Sequence, residues 1–108
     1  MTLRLALPLL FLAAVLEAAG DALIRSGLHA APLARAVFFG AGAIVLFSYG
    51  YVVNSPPWDF GRLLGIYVVF FFVVAQLISW LFFHRRPDGA VLLGGTFIVA
   101  GGLIISLA

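Results

Sequence analysis

Residues 63–83 read LLGIYVVFFFVVAQLISWLFF, twenty-one consecutive positions without an acid or a base. A helix needs about 20 apolar residues to cross the hydrocarbon core of a bilayer, so this stretch predicts a transmembrane span. Its flanks fit that reading. Trp58, Asp59, Phe60 and Arg62 precede it, and His84, Arg85, Arg86, Pro87 and Asp88 come after it. Aromatic and arginine side chains favour the membrane–water boundary, and proline ends a helix because it lacks the N–H and clashes with the preceding turn.

The same pattern repeats on both sides. Apolar runs over 3–24 and 36–53 precede the stretch and one over 89–108 succeeds it. The first two are separated by Arg25-Ser26-Gly27-Leu28-His29, Pro32 and Arg35, and the second ends at Asn54-Ser55-Pro56-Pro57. The expected fold is therefore all-α and integral to the membrane, with four transmembrane helices in a single domain over 1–108. Composition agrees: 65% of the 108 residues are hydrophobic and 9% are charged, and the mean hydropathy is +1.23. Those values exclude a soluble domain. The continuous apolar runs exclude a β-barrel, whose strands alternate in polarity. A cleaved signal peptide is the competing reading of the first run. Against it stand the acid Glu17 beside the small pair Ala18-Ala19 and the odd three-span remnant that cleavage would leave.

Several chemistries are excluded at this level. Cysteine is absent, which removes disulfides, thiol nucleophiles and thiolate metal sites. His29 and His84 lie far apart in sequence without an acidic cluster nearby, so no metal site is expected. The net charge of +2 comes from six arginines against four acids. That is too sparse for a nucleic-acid surface, and the expected partners of the arginines are lipid headgroups. Nothing in the chain reads as an enzyme. Arg4 and Arg62 fall on one side of the membrane, and Arg25, Arg35, Arg85 and Arg86 on the other. The positive-inside rule places the second group in the cytoplasm, but so small a bias in so short a chain makes dual topology an expectation as well.

The most informative residues are Glu17 and Asp21. A carboxylate within a membrane span costs several kcal/mol and marks a functional site by default. The four-residue spacing puts both on one helix face, with Leu10, Ala13, Ala14 and Gly20. That mostly small stripe leaves room for a partner helix or a ligand. Asp21 stands four residues before Arg25, the favourable order for an acid–base pair on a helix. Asp21 and Arg25 are therefore expected to form an ion pair, leaving Glu17 as the acid without a helix-mate. Removal from water disfavours a charged carboxyl. A carboxylate that is neutralised by a proton or by a cation, but not by both, couples the movement of the two.

These residues resemble the small multidrug resistance transporters of the drug/metabolite transporter superfamily. The resemblance is carried by Glu17-Ala18-Ala19-Gly20 with Arg25-Ser26-Gly27, by Ile78-Ser79-Trp80-Leu81-Phe82-Phe83 and by Gly94 to Leu107. Gly61-Arg62, with Tyr67 five residues after the arginine, resembles a neighbouring four-span group, the YnfA-like proteins. Spans one, three and four are covered, and span two is left unassigned. The resemblance implies an antiparallel, dual-topology homodimer in a bacterial-type inner membrane, exporting a small cationic substrate in exchange for protons, with no cofactor besides the coupling proton. It assigns proton or substrate binding to Glu17, with Gly20 and Asp21 on the same face, and a substrate-facing ring to Tyr67. It also implies dimer packing through Gly94 and Gly101. Two departures stand out: Asp21 replaces a small hydroxyl residue, and Val69 and Phe71 replace a glycine pair that bends the third helix, for which Gly61 and Gly65 offer a substitute. The run Phe70-Phe71-Phe72 is expected to face lipid or core. A passive channel, to which Gly94-Gly95-Thr96-Phe97 bears a faint likeness, and a structural or regulatory membrane protein are the competing functions; neither needs Glu17.

Overall fold

The computed structural model describes residues 3–108. Four helices succeed one another, α1 (Leu3–Leu28), α2 (Pro32–Val53), α3 (Phe60–Phe83) and α4 (Gly89–Leu107). All are long and apolar enough to cross a membrane. No strand is present among the described residues.

The helices outrun the hydropathy-based spans at three ends, the last of α1 and the first of α2 and α3, because hydropathy registers apolar content whereas helix ends are set by the backbone. Helix α1 continues past residue 24 through Arg25, Ser26 and Gly27 to Leu28. Helix α2 begins at Pro32 rather than at residue 36; proline suits the first helical position, where its missing N–H is not needed. Asp59 and Asp88 cap α3 and α4 by accepting the backbone N–H of Arg62 at 3.0 Å and of Val91 at 2.9 Å. Arg35 reaches back to the end of α1, where Nε donates to the Gly27 carbonyl at 3.2 Å, a favourable place for a cation.

The principal contacts join α2 to α1, α1 to α3 and α3 to α4. The result is a slab of 48 × 34 × 19 Å in which α1 and α3 form the middle. Lipid tails are as apolar as leucine, so close packing rather than apolar burial must hold such helices together. The sequence supplies small residues for it. Ala6, Leu10, Ala13, Ala14 and Ala18 are the buried stripe of α1, opposite Leu63, Ile66, Tyr67 and Val74 of α3. Glycines seat the outer helices. A Cβ on Gly20 would stand 2.7 Å from Leu46 Cδ2 of α2, and one on Gly42 would meet Ile24 at 2.7 Å and the Gly20 carbonyl at 3.3 Å. On the other flank Gly95 and Gly102 of α4 are buried against Phe72 and Val69 of α3. Arg62 ties the same pair at one end, donating to the Ile105 carbonyl at 2.8 Å while lying 3.6 Å from Asp59.

Candidate functional site

The inward stripe of α1 carries Glu17 to α3, where its Oε1 accepts a 2.8 Å hydrogen bond from the Tyr67 hydroxyl. Glu17 is half-buried and Tyr67 is 4% exposed. A bond to an ionised carboxylate is worth about 1.5–3 kcal/mol, enough to fix both side chains. Two more rings close the corner. Tyr49 of α2 lies 5.7 Å from the Tyr67 ring, and Phe71, one turn along α3, lies 6.4 Å away. Both separations fall in the range of favourable aromatic pairs. The negative faces of such rings attract cations, so the corner offers a carboxylate and aromatic walls together.

Beyond the corner α1 and α3 part to form an open cleft of about 420 Å³. Ala18, Ala22 and Ala75 give it width, and Asp21, Arg25, Ser79 and Arg85 line it with polar groups. Phe71 belongs to both the cleft and the aromatic corner. At the cleft mouth His84 takes a left-handed conformation with φ 58°, an uncommon choice outside glycine. The His84 N–H donates to the Ser79 carbonyl, the six-residue closure typical of helix ends, and the turn lets the Arg85 N–H donate to the same carbonyl at 3.0 Å.

A membrane protein of Herpetosiphon aurantiacus named as UPF0060 is 36% identical to the chain over 103 residues, covering 93% of this chain and 91% of the relative. A UPF0060 membrane protein of Saccharopolyspora erythraea is 35% identical over 101 residues, with 93% and 90% covered. One of Clostridium perfringens is 34% identical over 100 residues, with 90% and 87% covered. The chain belongs to the UPF0060, or YnfA, family of membrane proteins. No protein-family model matches it, and no solved structure does.

Within this UPF0060 fold the site residues read from the sequence divide. Glu17 and Tyr67, fifty positions apart, are in direct contact. Asp21 lies nearby in the cleft. Gly20 does not join them: its open side is filled by Leu46, so it serves the α1–α2 crossing. The expected Asp21–Arg25 ion pair is also not made, the only ion pair among the described residues being Asp59–Arg62. Arg25 instead points along α1 toward the end of α3, where its guanidinium lies 5.9 Å from the Phe83 ring centre. Of the phenylalanine run, Phe72 packs on Gly95, whereas Phe71 flanks Tyr67 and lines the cleft. Gly65 abuts Ile105 of α4 and is thus a packing position, while Gly61 has open space around it. Gly94 and Gly101 likewise face open space within the UPF0060 subunit, their neighbours Gly95 and Gly102 having taken the contact with α3. Sequence reasoning missed Tyr49, since a tyrosine in the unassigned second span gave no sign of which helix it would meet.

Proposed function

We propose that this UPF0060 protein is a proton-coupled antiporter that exports small organic cations across a bacterial inner membrane. The observation that carries the reading is the Tyr67–Glu17 hydrogen bond, which holds a carboxylate of a membrane-crossing helix in an aromatic corner. A structural role would not need an acid there, and a bare carboxylate in a membrane span is costly. In the proposed cycle an incoming cation reaches Glu17 through the α1–α3 cleft, pairs with the carboxylate and displaces its proton. On the opposite side of the membrane a proton displaces the cation. No bond is made or broken in the substrate, so the protein is not an enzyme, and the proton is the only coupling species. The resemblance to the small multidrug resistance transporters supports an antiparallel homodimer as the working unit, with the outward strip of Gly94 and Gly101 pairing between subunits.

The test is proton release from the detergent-purified protein on adding tetraethylammonium or guanidinium. Wild type is expected to release protons and Glu17→Gln to release none. Equal release from both would overturn the assignment.

A further inference from the structure

The four acids of this chain fall into three situations. Asp59 and Asp88 cap helices, and Glu17 is held by Tyr67. Asp21 accepts no hydrogen bond and forms no ion pair among the described residues, although Arg25 stands one turn away on the same helix. A carboxylate and a guanidinium at this spacing ordinarily attract one another. Here Arg25 leans to Phe83 instead, and Asp21 and Arg25 line the same cleft together with Ser79 and Arg85.

The order of these charges along the cleft is informative. Asp21 lies about 6 Å deeper along α1 than Arg25, four residues at 1.5 Å each. The His84 turn and two bonds between Ser79 and the Arg85 backbone hold Arg85 at the end of α3, where it lines the cleft. A molecule entering from this end passes two arginines, Arg25 and Arg85, before it meets Asp21. The carboxylates beyond them attract a cationic group, and the two arginines attract an anionic tail that follows it. The cavity, about 420 Å³, falls within the usual size of small-molecule sites.

We propose that the α1–α3 cleft binds a molecule carrying a cationic group and an anionic group about one helical turn apart, the cation toward Asp21 and Glu17 and the anion toward Arg25 and Arg85. This inference rests on the antiport reading and narrows its substrate class from organic cations to zwitterions. The headgroup of a zwitterionic phospholipid has the same chemistry, an ammonium and a phosphate, and the experiment separates the two sources.

Binding of 4-(trimethylammonio)butanoate and of its methyl ester to the purified full-length protein is compared by calorimetry. The two ligands share size and cation, and only the first carries an anion. The acid is expected to bind at least about tenfold more tightly, the difference a charge-assisted hydrogen bond supplies. The ratio should fall toward one in Arg25→Gln/Arg85→Gln. The comparison of ligands on wild type needs no variant to fold. In a second arm, native mass spectrometry counts phosphatidylethanolamine retained against phosphatidylglycerol, which lacks the ammonium. Retention of the former, lost in Asp21→Asn and in the arginine variant, without a preference for the soluble acid would assign the site to lipid. Equal binding of acid and ester with no selective lipid retention would overturn the proposal. Proton release by butyltrimethylammonium, measured beside it, reads the antiport assignment separately.

Discussion

The Tyr67 hydroxyl donates to Glu17 across 2.8 Å and so joins α3 to α1 at a point fifty residues apart in sequence. Because Tyr67 also packs against Tyr49 and Phe71, the ring and the hydroxyl make separable contributions. Tyr67→Phe should keep the rings packed and lose only the bond, weakening cation-driven proton release about tenfold at subsaturating cation. Glu17→Gln should abolish it while expression and dimer formation persist. A Tyr67→Phe protein indistinguishable from wild type in a cation titration would show that the hydroxyl takes no part in binding.

Adjacent glycines on α4 should behave oppositely. A methyl group on Gly102 runs into Val69, and one on Gly95 into Phe72, whereas Gly94 and Gly101 have room. Gly102→Ala should destabilise the subunit by about 1–3 kcal/mol, the usual range for overpacking, seen as a lower melting midpoint in detergent. Gly101→Leu should leave that midpoint unchanged and move the protein from dimer to monomer on size exclusion. A Gly101→Leu protein that melts early but stays dimeric would reverse the two assignments.

The α1–α2 crossing depends on Gly20 and Gly42, each filled from the opposite helix. Leucine at Gly42 has no space beside Ile24 and the Gly20 carbonyl, so Gly42→Leu should force the helices apart. Protease sensitivity in the loop after Leu28 should rise. Leucine at Gly40, which faces open space on the same helix, is the control and should have no effect.

Orientation should be easy to tip, since two arginines face one side and four the other. Of the two, Arg62 is engaged by Asp59 and the Ile105 carbonyl. Two lysines added after Ala108 should bias the chain toward a cytoplasmic C-terminus and lower activity, with recovery on co-expression with an oppositely biased variant. Reporters fused to the C-terminus should show both orientations for the parent. A parent in one orientation, with activity indifferent to the added charge, would rule out an antiparallel homodimer.

Four helices and their approximate limits were legible because they depend on local quantities, apolar run length and prolines; the capping of α3 and α4 by Asp59 and Asp88 emerged only in the structure. Glu17 was legible for the same reason, since an acid in an apolar run is conspicuous without knowledge of its neighbours. Its contact with Tyr67 was approached through a resemblance in spacing, and the distance itself belongs to the packing of α1 on α3.

The remaining features were decided by tertiary structure alone. Successive residues on a helix point about 100° apart, so Gly94 and Gly95, or Gly101 and Gly102, look equivalent in sequence until the position of α3 selects Gly95 and Gly102 for contact. Gly20 shares a face with Glu17, yet Leu46 of α2 arrives to fill it. Asp21 and Arg25 have the spacing of an ion pair, but the end of α3 brings Phe83 within reach of the guanidinium and leaves the carboxylate in the cleft. Helix periodicity fixes which residues share a face; only the packed neighbours determine what that face meets.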